Sequence, residues 1–241
     1  MSAQLGAAEA HPNIALVKYW GKRDTALNLP AVGSLSITLD TLWTRSRVRF
    51  DAAWDRDRVQ LNGRQDDATT RRVSALLDVL RERAGVTAAA DVVSINNFPT
   101  GAGLASSASG FAALVVAAAD ALGLSLAPEE VSALARRGSG SAARSIFGGF
   151  VEWARGERDD GRDSVARPLL SASGWPLRVL VAVTSRVGKA VGSTEGMERT
   201  RASSPYWDAW LATQEADLQM LGARSPSATS RRWRRWPSIP A

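Results

Sequence analysis

The chain has 241 residues, 45% hydrophobic and 22% charged, the balance of an ordinary soluble protein long enough to bury one large core or two small ones. With no cysteine it holds no disulfide, thiolate nucleophile or zinc–cysteine site; its one histidine, His11, stands beside Pro12 with no nucleophile motif and reads as structural or solvent-facing. A net charge of +6 and a pI of about 10.6 invite a nucleic-acid reading, but the five arginines of 222–241 carry nearly all of that excess and leave a body without a basic face.

No apolar run reaches bilayer length, the longest being Phe111 to Ala119, and the N-terminus lacks the basic and long apolar regions of a secretory signal. A cytoplasmic protein without membrane or nucleic-acid partners is the expectation. In chain order, alternation over Asn13–Lys18, Ser34–Asp40, Thr44–Asp51 and Arg58–Leu61 predicts short strands, with a turn at Asn62-Gly63. Asp66 to Ala84 has apolar residues at 73, 76, 77 and 80, the spacing of an amphipathic helix. A β-like run at Asp91–Ile95 leads through a loop of small residues into an alanine-rich helix from Ser106 to about Leu122, ended by Gly123. Pro128 opens a further helix to Arg137. Phe150–Trp153 and Leu177–Thr184 read as buried strands, separated by the polar loop Arg155–Asp163. Helical patterns return at Gly192–Arg199 and Pro205–Leu221, and no internal repeat is present. Strands followed by mixed strands and helices give an α+β fold with helices on one face of a mixed sheet.

The loop Asn96-Asn97-Phe98-Pro99-Thr100-Gly101-Ala102-Gly103-Leu104-Ala105-Ser106-Ser107 carries the strongest chemical signal. Gly101 and Gly103 can take positive φ and let backbone approach a ligand. Ser106 and Ser107 stand where the helix begins, free to cap it. The helix's free N–H groups and positive dipole end then form an anion site suited to a nucleotide phosphate. A tight turn with an N-cap is the bland alternative for this segment alone.

Two more segments agree: Asn13-Ile14-Ala15-Leu16-Val17-Lys18-Tyr19-Trp20-Gly21-Lys22, and Arg136-Arg137-Gly138-Ser139-Gly140-Ser141-Ala142-Ala143-Arg144-Ser145. Together with the glycine–serine loop and Gly192-Ser193-Thr194-Glu195-Gly196-Met197, they resemble the diphosphomevalonate decarboxylases of the GHMP kinase superfamily. The resemblance runs from about Ala10 to about Leu218. It implies a GHMP kinase-like two-domain fold, its N-terminal domain of the ribosomal protein S5 domain 2-like type, over residues 1–175. Residues 176–221 would begin a C-terminal domain left incomplete, and 222–241 form an aberrant basic tail.

The implied reaction phosphorylates the tertiary 3-hydroxyl of mevalonate 5-diphosphate with ATP and Mg²⁺, then loses phosphate and CO2 to give isopentenyl diphosphate. Catalytic roles fall to Lys18 near the hydroxyl, Arg144 on the carboxylate and Ser193. Tyr19, Trp20, Gly21, Lys22, Arg72, Ser139, Gly140, Ser141, Ala142, Ala143 and Thr194 would bind substrate with Arg144. Gly101, Gly103, Leu104, Ala105, Ser106 and Ser107 would hold ATP. A solvated lysine pair competes as the reading of Lys18 and Lys22, an exposed helix face beside Arg71 as that of Arg72, and a helix N-cap as that of Ser193 and Thr194. The family's catalytic aspartate belongs to a late Asp-Ala-Gly-Pro segment that this sequence lacks. The basic tail resembles out-of-frame translation, so a truncated or frameshifted member with impaired turnover is expected. A related phosphomevalonate decarboxylase or mevalonate kinase, or a binder without chemistry, are the alternatives, and a homodimer is possible.

Overall fold

A computed structural model describes residues 4–182 and 190–222. The strands are β1 (Leu5–Ala10), β2 (Asn13–Val17), β3 (Lys22–Asp24), β4 (Leu29–Pro30), β5 (Ser34–Thr38), β6 (Thr44–Asp51), β7 (Arg58–Leu61), β8 (Ala89–Asn96), β9 (Phe150–Trp153) and β10 (Ala166–Leu170). The helices are α1 (Asp67–Ala84), α2 (Ser106–Ala121), α3 (Pro128–Gly138), a 3-10 helix (Gly140–Ile146), α4 (Ser193–Ser203) and α5 (Trp207–Gly222).

Local chemistry sets most of these bounds. In β6 the residues Thr44, Ser46, Val48 and Phe50 point inward and are buried, while Arg45, Arg47 and Arg49 point out. Asn62 and Gly63, both at positive φ, turn β7 back so that Leu61 and Arg64 exchange backbone hydrogen bonds of 2.8 and 3.0 Å. Asp66 caps α1 by accepting from the Thr69 N–H at 2.8 Å, and Val73, Leu76, Leu77 and Leu80 are its buried stripe.

The sequence predicts one mixed sheet; two four-stranded sheets are found. The first runs β1-β6-β8-β7 and is antiparallel except for the β7–β8 pair, and the second, β10-β9-β5-β2, is wholly antiparallel. The extra strands escaped notice for physical reasons. The inward residues of β1 are Gly6, Ala8 and Ala10, too small to read as hydrophobic alternation. Edge strand β10 contains Pro168 and a register shift, both tolerated only where a strand lacks a second neighbour. Helix α2 packs on the inner face of the first sheet and meets α3 and the 3-10 helix, which face the second. One apolar cluster joins both sheets through these helices, from Val48 and Val92 to Val151 and Trp153. Being buried on nearly every side, α2 is alanine-rich rather than amphipathic.

Residues 177–182 of the expected strand Leu177–Thr184 are irregular instead, and Val183 and Thr184 lie outside the described residues. No described strand pairs with them, and without a ladder the backbone has no reason to hold strand geometry. Leu180 is 96% exposed there, so the burial expected for this run is also corrected. Helices α4 and α5 are seated against the N-terminal half: the Trp207 ring lies on Gly21, Leu218 packs with Val17 and Leu35, and Met197 joins the main core.

The seat of α5 has a titratable weak point. Glu152 of β9 is half-buried, and its carboxyl is raised above the ordinary range by burial first and by Glu215 of α5 second, with Arg167 opposing. A carboxyl raised in the folded state contributes stability that is present at low pH and lost as pH rises through the folded value. Glu152→Gln is therefore expected to raise the melting temperature at pH 7 and to shrink the difference between melts at pH 5 and pH 7. A melting temperature at pH 7 equal to or below that of the parent would refute this account.

Candidate active site

The three motifs and the first turn of α4 meet around one cleft of about 1180 Å³. One wall comes from the chain leaving β2, which carries Lys18, Tyr19 and Trp20, and from the start of β3 with Lys22. The glycine–serine loop and α2 form a second wall, and the 3-10 helix with Ser139 ahead of it forms the floor. Ser193 and Thr194 close the cleft from α4, and Lys22 Nζ donates to Thr194 Oγ1 at 2.9 Å across 172 residues of sequence. Lys18 and Lys22 face the same cleft, as the strand-end reading requires. Burial depresses the Lys22 ammonium below its usual value, Glu198 opposing and Arg72 adding to the shift.

Arg144 occupies the floor at 2% exposure. Its Nε donates to Ser36 Oγ at 3.0 Å, its Nη2 to Asn13 Oδ1 at 3.1 Å, and its Nη1 to Ser34 Oγ. Among the described residues no carboxylate lies within ion-pair distance of it. Burial lowers its pKa to about 10, with Tyr19 opposing, which leaves the guanidinium charged at neutral pH. What sets Arg144 apart from other buried cations is its place on the cleft floor, where an anion entering the cleft could meet it.

Tyr19 supplies the second such group. It is 9% exposed, its ring sits edge-on to Trp153 at 4.7 Å, and its hydroxyl is buried with no hydrogen-bond partner among the described residues. Burial pushes the phenol above its usual range, despite the opposing fields of Arg144 and Arg136. Gly140 permits this packing, because a Cβ there would stand 2.5 Å from the hydroxyl oxygen. An unpaired buried hydroxyl costs about 1–3 kcal/mol. Tyr19→Phe is therefore expected to raise the melting temperature of the free protein while weakening the binding of a diphosphate. Calorimetry with thermal melts checks both; a lower melting temperature, or unchanged affinity, would count against the assignment.

The glycine–serine loop has the backbone its glycines allow. Gly101 and Gly103 have φ of 72° and 86°, and a Cβ on either would meet nothing within 4 Å, so the backbone there is open to a ligand. The expectation that Ser106 or Ser107 caps α2 is corrected. The N-cap is Ala105, held at φ 54° without a side-chain cap bond, a conformation that costs a non-glycine residue about 1 kcal/mol or more. Ser106 Oγ instead accepts the Gly101 N–H at 3.1 Å and ties the loop to itself. Ser107 Oγ lies 3.3 Å from Ser139 Oγ, and Ser139 Oγ lies 3.5 Å from Ser141 Oγ, a run of hydroxyls joining α2 to the floor. The first turn of α2 carries no acidic residue, so its free N–H groups leave that end of the helix electropositive.

Some expected site residues fall elsewhere. Ala142 and Ala143 are wholly buried in the core, and neither Leu104 nor Gly21 lines the cleft. Gly21, at φ 109°, instead accommodates the Trp207 ring, which a Cβ would meet at 2.3 Å. Arg72 lines the cleft, over the Phe111 ring and donating to Gly138 O at 3.3 Å, whereas Arg71 does not. Ser193 and Thr194 sit in the first turn of α4 rather than capping it; the cap is Gly192. Asn13, Ser34 and Ser36 were missed. A buried asparagine at the head of a motif and two serines on one face of β5 were the available signals, yet only their convergence on Arg144 gives them meaning.

Among the described residues no group of three His, Cys, Asp or Glu side chains is placed to hold a metal. One carboxylate among the described residues lines the cleft, Glu195, exposed and paired with Arg199 at 2.5 Å along α4.

Residues 10–166 match the family model of the diphosphomevalonate decarboxylase-like N-terminal domain. The chain is 48% identical over 209 residues to diphosphomevalonate decarboxylase mvd1 of Aspergillus fumigatus, covering 80% of this chain and 52% of that protein. It is 45% identical over 210 residues to the human diphosphomevalonate decarboxylase, again covering 80% of this chain and 52% of that protein. A solved structure of MDDEF in complex with MVAPP, AMPPCP and magnesium superposes with a TM-score of 0.81 at 42% identity, over 92% of this chain and 68% of that one. The chain thus spans about half the length of the curated relatives it matches.

Proposed function

The chain belongs to the diphosphomevalonate decarboxylase-like family, and from that premise we propose that its cleft binds mevalonate 5-diphosphate together with ATP and Mg²⁺. The observation that carries the reading is the buried, carboxylate-free guanidinium of Arg144. Its planar fork is suited to the C1 carboxylate, the group that would leave as CO2. Lys22, Arg72, Thr194 and the unpaired Tyr19 hydroxyl supply cation and donors for the diphosphate. The open backbone of Gly101 and Gly103, with Ser106 and Ser107, would take the nucleotide phosphates. Mg²⁺ bound with them would offset phosphate charge during transfer. Lys18, exposed at the mouth, would approach the 3-hydroxyl.

The reaction needs a group to orient that hydroxyl and take its proton. Among the described residues the cleft lining offers Glu195 for this, an exposed carboxylate that also faces Arg199. Binding of both ligands is the expected behaviour of the cleft, and turnover depends on whether such a group takes the proton. The test is to titrate folded protein with each ligand, then incubate it with ATP, Mg²⁺ and mevalonate 5-diphosphate and follow ADP and CO2 together. Binding without product supports the reading. Stoichiometric release of both products would show that this chain also supplies the proton acceptor, and failure to bind either ligand would overturn the reading.

A further inference from the structure

Arg136, like Arg144, is buried to 2% exposure, and no role in the cleft chemistry falls to it. Three hydrogen bonds hold it, each to a main-chain carbonyl: Nε donates to Leu27 O at 3.1 Å, and Nη1 to Gly161 O at 2.8 Å and Ser164 O at 2.7 Å. Leu27 lies in the turn of the β3–β4 hairpin, and the other two acceptors lie in the loop between β9 and β10. Room for the guanidinium depends on Gly161, whose Cβ would stand 2.6 Å from Arg136 Nη2. Leu29, next in the hairpin, is wholly buried, and Asn28, at φ 53°, donates through Nδ2 to Arg137 O at 2.8 Å. The hairpin is thus fastened to the end of α3 by two adjacent tethers. Lys22 is the first residue of β3, and Thr25, Ala26 and Asn28 line the cleft beside it.

We propose that Arg136 is a positioning residue, fixing the β3–β4 hairpin so that Lys22 is presented to an anionic phosphate group in the cleft. This rests on the cleft reading given above. A guanidinium suits the task because its fork reaches three carbonyls that diverge in direction, which a lysine ammonium on a flexible stem cannot hold at once. The carbonyls in turn replace the carboxylate that a buried cation otherwise needs.

The test uses Arg136→Lys, which keeps the charge, and Asn28→Gly, which keeps the positive φ and removes the second tether. Hydrogen exchange at the Leu27 and Ala31 amides reads the hairpin without any ligand. Calorimetry with inorganic diphosphate and, separately, with ATP reads the site. Arg136→Lys is expected to speed exchange at both amides and to weaken diphosphate binding about tenfold, with ATP affinity unchanged. Adding Lys22→Met to Arg136→Lys should cost no more than Lys22→Met alone, because one acts through the other. Folded Arg136→Lys with parental exchange and parental diphosphate affinity would overturn the proposal, and so would additive losses in the double variant. Should Arg136→Lys fail to fold, Asn28→Gly carries the same two readouts, and parental values in it would overturn the proposal equally. A parent protein that binds no diphosphate refutes the cleft reading itself; the exchange arm tells that result apart, since it needs no ligand.

Discussion

Arg144→Lys is expected to weaken mevalonate 5-diphosphate binding by about a hundredfold or more, with ATP affinity unchanged. The substitution keeps a cation on the floor of the cleft and leaves Asn13, Ser34 and Ser36 a donor to face. What it removes is the planar pair of N–H groups that can hold a carboxylate in two parallel bonds. The loss should be confined to the carboxylate end of the ligand. Inorganic diphosphate, which has no carboxylate, should bind the variant nearly as well as it binds the parent. Calorimetry with both ligands separates the cases: equal affinity for mevalonate 5-diphosphate in parent and variant would remove Arg144 from the site.

Gly6→Val should destabilise the fold by about 3 kcal/mol or more and sharply reduce the yield of soluble protein. Nothing in the φ of Gly6 demands glycine. Its need comes from α2, because a Cβ on Gly6 would stand 1.9 Å from Ala117 O and 2.6 Å from Ala121 N. Both are main-chain atoms of a helix buried on nearly all sides, so neither can move aside without shifting α2. Moving α2 would also displace the phosphate loop at its N-terminus, joining a packing defect at one end to a binding defect at the other. Ala7→Val, on the outward face of the same strand, is the control and should be nearly neutral. Equal denaturation midpoints for Gly6→Val and Ala7→Val would refute the close-packing account.

The reach of sequence reasoning can be judged from particular residues. The α1 stripe at 73, 76, 77 and 80 was legible because a 3.6-residue period survives in any environment that buries one helix face. The strands at 13–17, 44–51 and 150–153 were legible for the equivalent reason at period two. Gly101 and Gly103 announced their positive φ through the absence of a side chain. Expectations failed where small residues or distant partners decide. Strand β1 has only glycine and alanine on its inner face, and Ser106 bonds Gly101 rather than the helix end. Leu177–Val181 is apolar enough for a strand, but no described neighbour offers it a ladder.

By itself, then, the sequence determined which residue types gather in which order: the lysine pair, the glycine–serine loop, the serine–arginine segment, and the periodic helices and strands around them. These follow from local sterics and from burial periodicity, which a linear chain records directly. Only the tertiary structure decided that, among the described residues, Arg144 is buried without a carboxylate beside it and the Tyr19 hydroxyl lacks a partner, and that Lys22 reaches Thr194. It also decided that Arg136 binds three carbonyls drawn from two separate loops. The cost of burying a charge or a hydroxyl depends on which atoms converge on it in space, and no one-dimensional pattern carries that distance.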